Sequence, residues 1–217
     1  SISHSSIRPD GKHDLSGSGM RALAAAYDNG GQVSTLIVPS DLAWSPAEGE
    51  QTESAQPEMN FSPDAQKLDD AVSALKGTGR RVLFIGGRAL QGDTLRRLGQ
   101  IAEATGAELI AETFTARAER GAGRVPFAKL AYFAEMALDQ LKGCEAIVTV
   151  GTKAPVSFFA YPNVPSNLVP EGCNLVELAG PTHDVDATTM GLIEALGLLE
   201  ADAPAVAQRV VPDLPEG

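Results

Sequence analysis

Apolar positions along this chain follow two different rhythms. From about residue 80 onward, short stretches rich in Val, Ile and Leu (81–85, 108–111, 146–150 and 174–178) recur at intervals. Runs of that length and β-branched content predict strands buried on both faces. Between and after them, residues 94–105, 128–141 and 187–198 repeat their apolar positions every three or four residues, which predicts helices with one buried face. A further helix is expected from Ser62 at the N-cap and Pro63 in the first turn through Leu68, Val72 and Leu75, ending at Lys76-Gly77-Thr78-Gly79. Strands alternating with helices specify an α/β fold, here a Rossmann-like three-layer parallel sheet over 63–198, because right-handed crossovers lay helices on both faces.

The pattern ahead of this region is thinner. Residues 1–19 are rich in Ser, Gly and His without an apolar period and read as loop. Residues 20–27 predict an Ala-rich helix closed by Asn29-Gly30-Gly31, and 33–38 predict a strand bounded by Pro39. One helix and one strand cannot bury a core alone. Residues 45–62, with Pro46 and Pro57 among Glu, Gln, Ser and Ala, read as a linker, and 199–217 as an acidic, Pro-bearing tail.

Composition narrows the classes. The 217 residues are 43% hydrophobic and 21% charged, which excludes a disordered acidic polymer. No apolar stretch approaches the roughly 20 residues that span a bilayer. A net charge of −11 opposes duplex nucleic acid, whose phosphates need a basic face. Much of that charge is local, since 183–217 carries seven acids against Arg209 alone. Two cysteines, Cys144 and Cys173, fit a reducing cytoplasm and packing as small hydrophobes.

Candidate chemistry gathers after the strands. Gly86-Gly87 follows the first strand of the Rossmann-like region and Gly151 follows the third, at the edge where open α/β sheets bind ligands. The stretch Gly86-Gly87-Arg88-Ala89-Leu90-Gln91-Gly92 is not the Gly-x-Gly-x-x-Gly fingerprint, so the glycines serve either tight turns or a nucleotide phosphate. Arg117, Arg120 and Arg124, interleaved with Gly121 and Gly123, either grip an anion or pair internally with partners such as Glu119. The loop from Gly151, Thr152 and Lys153 through Phe158, Phe159 and Tyr161 either packs under a neighbouring domain or lines a pocket for a planar group. His4, His13 and His183 lack a second ligand at metal spacing, and no nucleophile-base order stands out.

Certain stretches carry a resemblance. The run Gly31–Asp41 with its Pro39-Ser40-Asp41 turn, residues 81–90, the Glu119-Arg120-Gly121-Ala122-Gly123-Arg124 loop with 130–133, and 146–161 resemble thiamine diphosphate-dependent enzymes of the acetolactate synthase-like large-subunit group, near benzoylformate decarboxylase. The likeness covers roughly residues 20–200 and implies that 1–44 ends a pyrimidine-binding α/β domain and 63–198 is the central domain of a 2-oxo acid decarboxylase or carboligase. It implies that thiamine diphosphate and Mg²⁺ sit in domains outside this chain. This portion would then be non-catalytic alone, joining those missing domains and supporting a homodimer or homotetramer. It further implies an FAD crevice with Gly86 and Gly87 under the pyrophosphate, Thr113 and Phe114 beside the isoalloxazine or ribityl chain, Gly151 with Thr152 and Lys153 of its following loop, and Arg88 among the cofactor-binding residues. The family's Arg-rich turn is here Thr152-Lys153-Ala154-Pro155. The reading that competes with this is a free-standing nucleotide-binding module.

Overall fold

The computed structural model describes residues 3–28, 31–46, 64–160 and 162–211. Two compact units emerge, Ser1–Phe61 and Ser62–Gly217.

The first unit holds β1 (Ser5–Ile7), α1 (Leu15–Tyr27), β2 (Ser34–Leu36) and α2 (Ser40–Ala43). β1 and β2 pair in parallel with Ser5 opposite Ser34, and α1 is the crossover between them. The expectation of loop before residue 20 is corrected here. β1 is too short and too polar to register as a pattern, because its order comes from the ladder with β2 and from a 2.8 Å bond between His4 N–H and Val33 O. α1 begins five residues ahead of Met20, where Asp14 accepts from the Ser18 hydroxyl at 2.8 Å and from Arg21 Nη2 at 2.9 Å, tying down the first turn. Arg21 and then Ser18 hold the Asp14 carboxyl low, at about 2. The expected strand 33–38 shortens to three residues. Asn29-Gly30 and most of the expected linker lie outside the described residues.

The second unit contains α3 (Ala65–Lys76), β3 (Arg80–Ile85), α4 (Gly92–Thr105), β4 (Glu108–Ala111), β5 (Ala128–Lys129), α5 (Ala134–Leu141), β6 (Cys144–Val150), β7 (Asn174–Ala179) and α6 (Val185–Leu196). The five strands form a parallel sheet in the order β5-β4-β3-β6-β7. The chain winds outward from β3 in one direction and then from β6 in the other, so the switch of direction lies between those two strands. α3 is capped by Asp64, whose Oδ1 accepts from Gln66 N–H at 3.0 Å and Lys67 N–H at 3.3 Å; Ser62 and Pro63 lie outside the described residues.

The expected helix over 128–141 is also corrected. Ala128 and Lys129 add to the sheet edge opposite Ile110 and Ala111, Leu130 N–H donates to Ala111 O at 2.8 Å, and the helix starts only at Ala134. Ala-Lys-Leu-Ala has a strong helical preference, and tertiary pairing overrides it.

Both faces of the sheet are covered. Leu83, Ile85, Val148 and Val150 pack with Leu75, Leu95, Leu98, Ile101 and Leu192 beneath α3, α4 and α6. Val82, Phe84, Ile110 and Ile147 pack with Leu130, Ala137, Leu141 and Leu168 beneath α5 and the segment before β7. This explains why residues 82–85 of β3 read as an uninterrupted apolar run, since alternate side chains enter opposite cores. Residues 199–211 form no helix or strand but follow the surface of this unit: Pro204 is buried, Ala205 N–H donates to Glu103 at 2.6 Å, and Ala207 exchanges backbone bonds with Gly123 and Arg124, each 2.9 Å. Among the described residues no helix is long and apolar enough to cross a membrane.

Candidate functional site

β3, β4 and β6 end together on one edge of the sheet, and each delivers a loop there. Gly86 N–H donates to Val150 O at 3.0 Å and Glu112 N–H to Ile85 O at 2.9 Å, so the turns continue the ladder one residue beyond the strands. A Cβ on Gly86 would stand 2.5 Å from Glu112 Oε1, and one on Gly151 would stand 2.4 Å from Gly86 O. Both positions need glycine because the three loops are in close contact, and Gly151 also adopts φ +71°.

Glu112 occupies the centre of this contact. Its Oε2 accepts the Thr152 hydroxyl at 2.8 Å, and its Oε1 accepts Gly87 N–H at 3.3 Å. Beside it opens a cavity of about 350 Å³ lined by Glu112, Thr113, Phe114, Thr152, Phe158 and other residues of the 152–158 loop, with Phe84 and Leu130 from the core behind. The Thr113 hydroxyl donates to Leu130 O at 3.3 Å and so is turned toward the chain leaving β5. Phe114 and Phe158 lean on one another with ring centroids 4.6 Å apart, and Tyr132, Phe133 and Phe159 continue the cluster at centroid separations of 4.7–6.0 Å. All five rings are between 39% and 59% exposed, an unusual concentration of aromatic surface.

Of the residues singled out from sequence, Gly86, Gly87, Thr113, Phe114, Gly151, Thr152 and Lys153 meet at this edge. Arg88 does not line the cavity; its charge is felt by Asp186, whose carboxyl is held low first by the Arg97 hydrogen bond. Glu112 is the member that sequence reasoning passed over. Its signal was a lone acid after a buried strand, and its partner Thr152 lies 40 residues away.

Two of the three loop arginines are used internally. Arg120 donates to Phe127 O at 3.0 Å with its guanidinium 4.7 Å from the Phe127 ring, and Arg124 pairs with Glu119 at 3.3 Å. His183 is likewise used locally, its Nδ1 accepting Gly180 N–H at 3.0 Å. Among the described residues no group of three or more His, Cys, Asp or Glu could hold a metal ion.

No protein-family model matches the chain. A Mycobacterium tuberculosis protein named "Putative acetolactate synthase large subunit IlvX" is 41% identical over 175 residues, covering 79% of this chain and 33% of that protein. The chain is therefore homologous to an acetolactate synthase large subunit-like protein. It spans about a third of that relative's length. Among solved structures, a Rhodococcus jostii thiamine diphosphate-dependent 4-hydroxybenzoylformate decarboxylase superposes with a TM-score of 0.67 at 16% identity, covering 99% of this chain and 43% of that one. Benzoylformate decarboxylase from Polynucleobacter necessarius superposes with a TM-score of 0.64 at 20% identity, over 98% and 41%. At these identities the likeness establishes the fold: a five-stranded parallel α/β sheet shared with thiamine diphosphate-dependent enzymes.

Proposed function

We propose that this chain is the non-catalytic middle of a cytoplasmic thiamine diphosphate-dependent 2-oxo acid decarboxylase or carboligase of the acetolactate synthase type. The observation that carries this reading is the 41% identity over 175 residues to one stretch of a longer acetolactate synthase-like protein. The second unit is then the central domain, and the first is the edge of a pyrimidine-binding domain. Val33, Ile37 and Trp44 are exposed on that first unit, as expected for surface that a larger sheet would bury. Thiamine diphosphate, when bound, supplies the nucleophilic carbon that adds to a 2-oxo acid. The cofactor and its Mg²⁺ would be held by other parts of the enzyme. This chain's share is positional: a sheet with exposed rings at Tyr132, Phe133 and Phe159, suited to packing against those parts or against a second subunit.

FAD, which the resemblance implies for the sheet edge, does not fit the residues there. Gly87 N–H and the Thr152 hydroxyl, the donors a diphosphate would take, already serve the Glu112 carboxylate, and a second anion would face that charge.

Supplying the chain with thiamine diphosphate, Mg²⁺ and pyruvate should release no CO₂, while sedimentation should report a dimer or tetramer. Measurable decarboxylation would overturn the non-catalytic assignment.

A further inference from the structure

A carboxylate at the end of β4 changes what the neighbouring cavity can accept. We infer that the cavity beside Glu112 receives a planar aromatic group carrying an amidinium, ammonium or other N–H donor, with Glu112 as its anchor. The inference does not depend on thiamine chemistry, and its failure leaves the sequence relation behind the proposed function untouched.

The floor supplies the first argument. A carboxylate has about four acceptor positions across its two oxygens. Glu112 spends one on the Thr152 hydroxyl and one on a long bond from Gly87 N–H, which leaves acceptor capacity on a group that lines the cavity. Those two bonds also fix the carboxylate in place, so binding a donor there costs little further ordering. Ligands that bring a donor are favoured over ligands that bring an anion.

The walls supply the second. Phe114 and Phe158 offer exposed rings, and Pro155, Val156 and Pro181 complete an apolar lining suited to a flat ring. A cationic substituent gains from ring faces as well as from the carboxylate. The volume of about 350 Å³ is that of a single-ring or two-ring compound rather than a dinucleotide. Lys153 is the one cation of the lining, but it is solvent-exposed, where salt screens its charge, whereas Glu112 is half-buried.

Benzamidine is the probe, titrated calorimetrically into the intact chain beside benzoate, inorganic pyrophosphate and FAD. Benzamidine should bind with Kd below about 1 mM. Glu112→Gln keeps an acceptor for the Thr152 hydroxyl but removes the charge, and should weaken benzamidine by at least about tenfold with an unchanged circular dichroism spectrum. Phe158→Ala, at an exposed ring, provides a second variant should Glu112→Gln fail to fold, and should weaken benzamidine as well. Benzoate, pyrophosphate and FAD should give no heat. Absence of benzamidine binding, equal affinity in the folded Glu112→Gln or Phe158→Ala protein, or saturable binding of FAD or pyrophosphate by the unmodified chain would each overturn the inference.

Discussion

Arg80 grips Glu108 at two points, Nε to Oε1 and Nη2 to Oε2, each at 2.8 Å. The same guanidinium donates to Lys142 O at 2.9 Å, so the amino-terminal ends of β3 and β4 and the turn ahead of β6 are fastened together, at the opposite end of the sheet from the cavity. The Arg80 hydrogen bond holds the Glu108 carboxyl below its usual value. A depressed carboxyl contributes stability above its unfolded pKa of about 4.3 and loses it as pH falls through the folded value. Both side chains are partly exposed, so Arg80→Ala should cost only about 1 kcal/mol at neutral pH. Urea unfolding should show that deficit at pH 7 and a smaller one near pH 3, with the mutant and parent curves converging.

Thr149 lies in β6 with its hydroxyl fully buried and without a hydrogen-bond partner among the described residues. Valine has nearly the same shape and no polar atom to desolvate. Thr149→Val should therefore raise stability by about 1 kcal/mol, read as a higher urea midpoint with an unchanged slope.

Gly151→Ala should be severe. The added methyl would meet Gly86 O at 2.4 Å in a backbone already at φ +71°, and a loss of roughly 3 kcal/mol or more is expected. Gly121→Ala, at φ +101° with nothing within 4 Å, is the control and should cost only the backbone strain of about 1 kcal/mol. Thermal melts of the two variants should separate accordingly.

Cys173 should be sluggish toward alkylation. Burial, followed by the neighbouring Cys144, pushes its thiol up to about 12, and burial raises Cys144 as well. The thiolate is the reactive form, so iodoacetamide at pH 8 should modify Cys173 on the order of a hundredfold more slowly than glutathione. The rate should keep climbing past pH 10, and a plateau near pH 9 would contradict the assignment.

The elements that were legible in the sequence are those whose side chains alone encode their burial. β3 is apolar over 82–85 and β6 nearly so over 146–150 because cores lie on both sides, and α4 ends where Gly106 takes a left-handed conformation. β1 and β5 were illegible because two or three residues become a strand only through a partner, Ser34–Leu36 in one case and Ile110–Ala111 in the other. The candidate site divides in the same way. Its glycines announce themselves by type and position, and the aromatic loop by composition. Glu112 acquires meaning only when β4 and β6 are set on either side of β3, which brings Thr152 within reach.

The segment that trails from α6 bears on where this molecule can be cut. Gln100 donates to the carbonyls of Ala201 and Asp202 at 3.2 Å, and Ala207 is tied to the turn at Gly123 and Arg124. The folded body therefore reaches about ten residues beyond its last helix. An excision or fusion junction placed at Leu198, where regular secondary structure has ended, would strip the cover from α4. A junction after Ala207 would leave it intact.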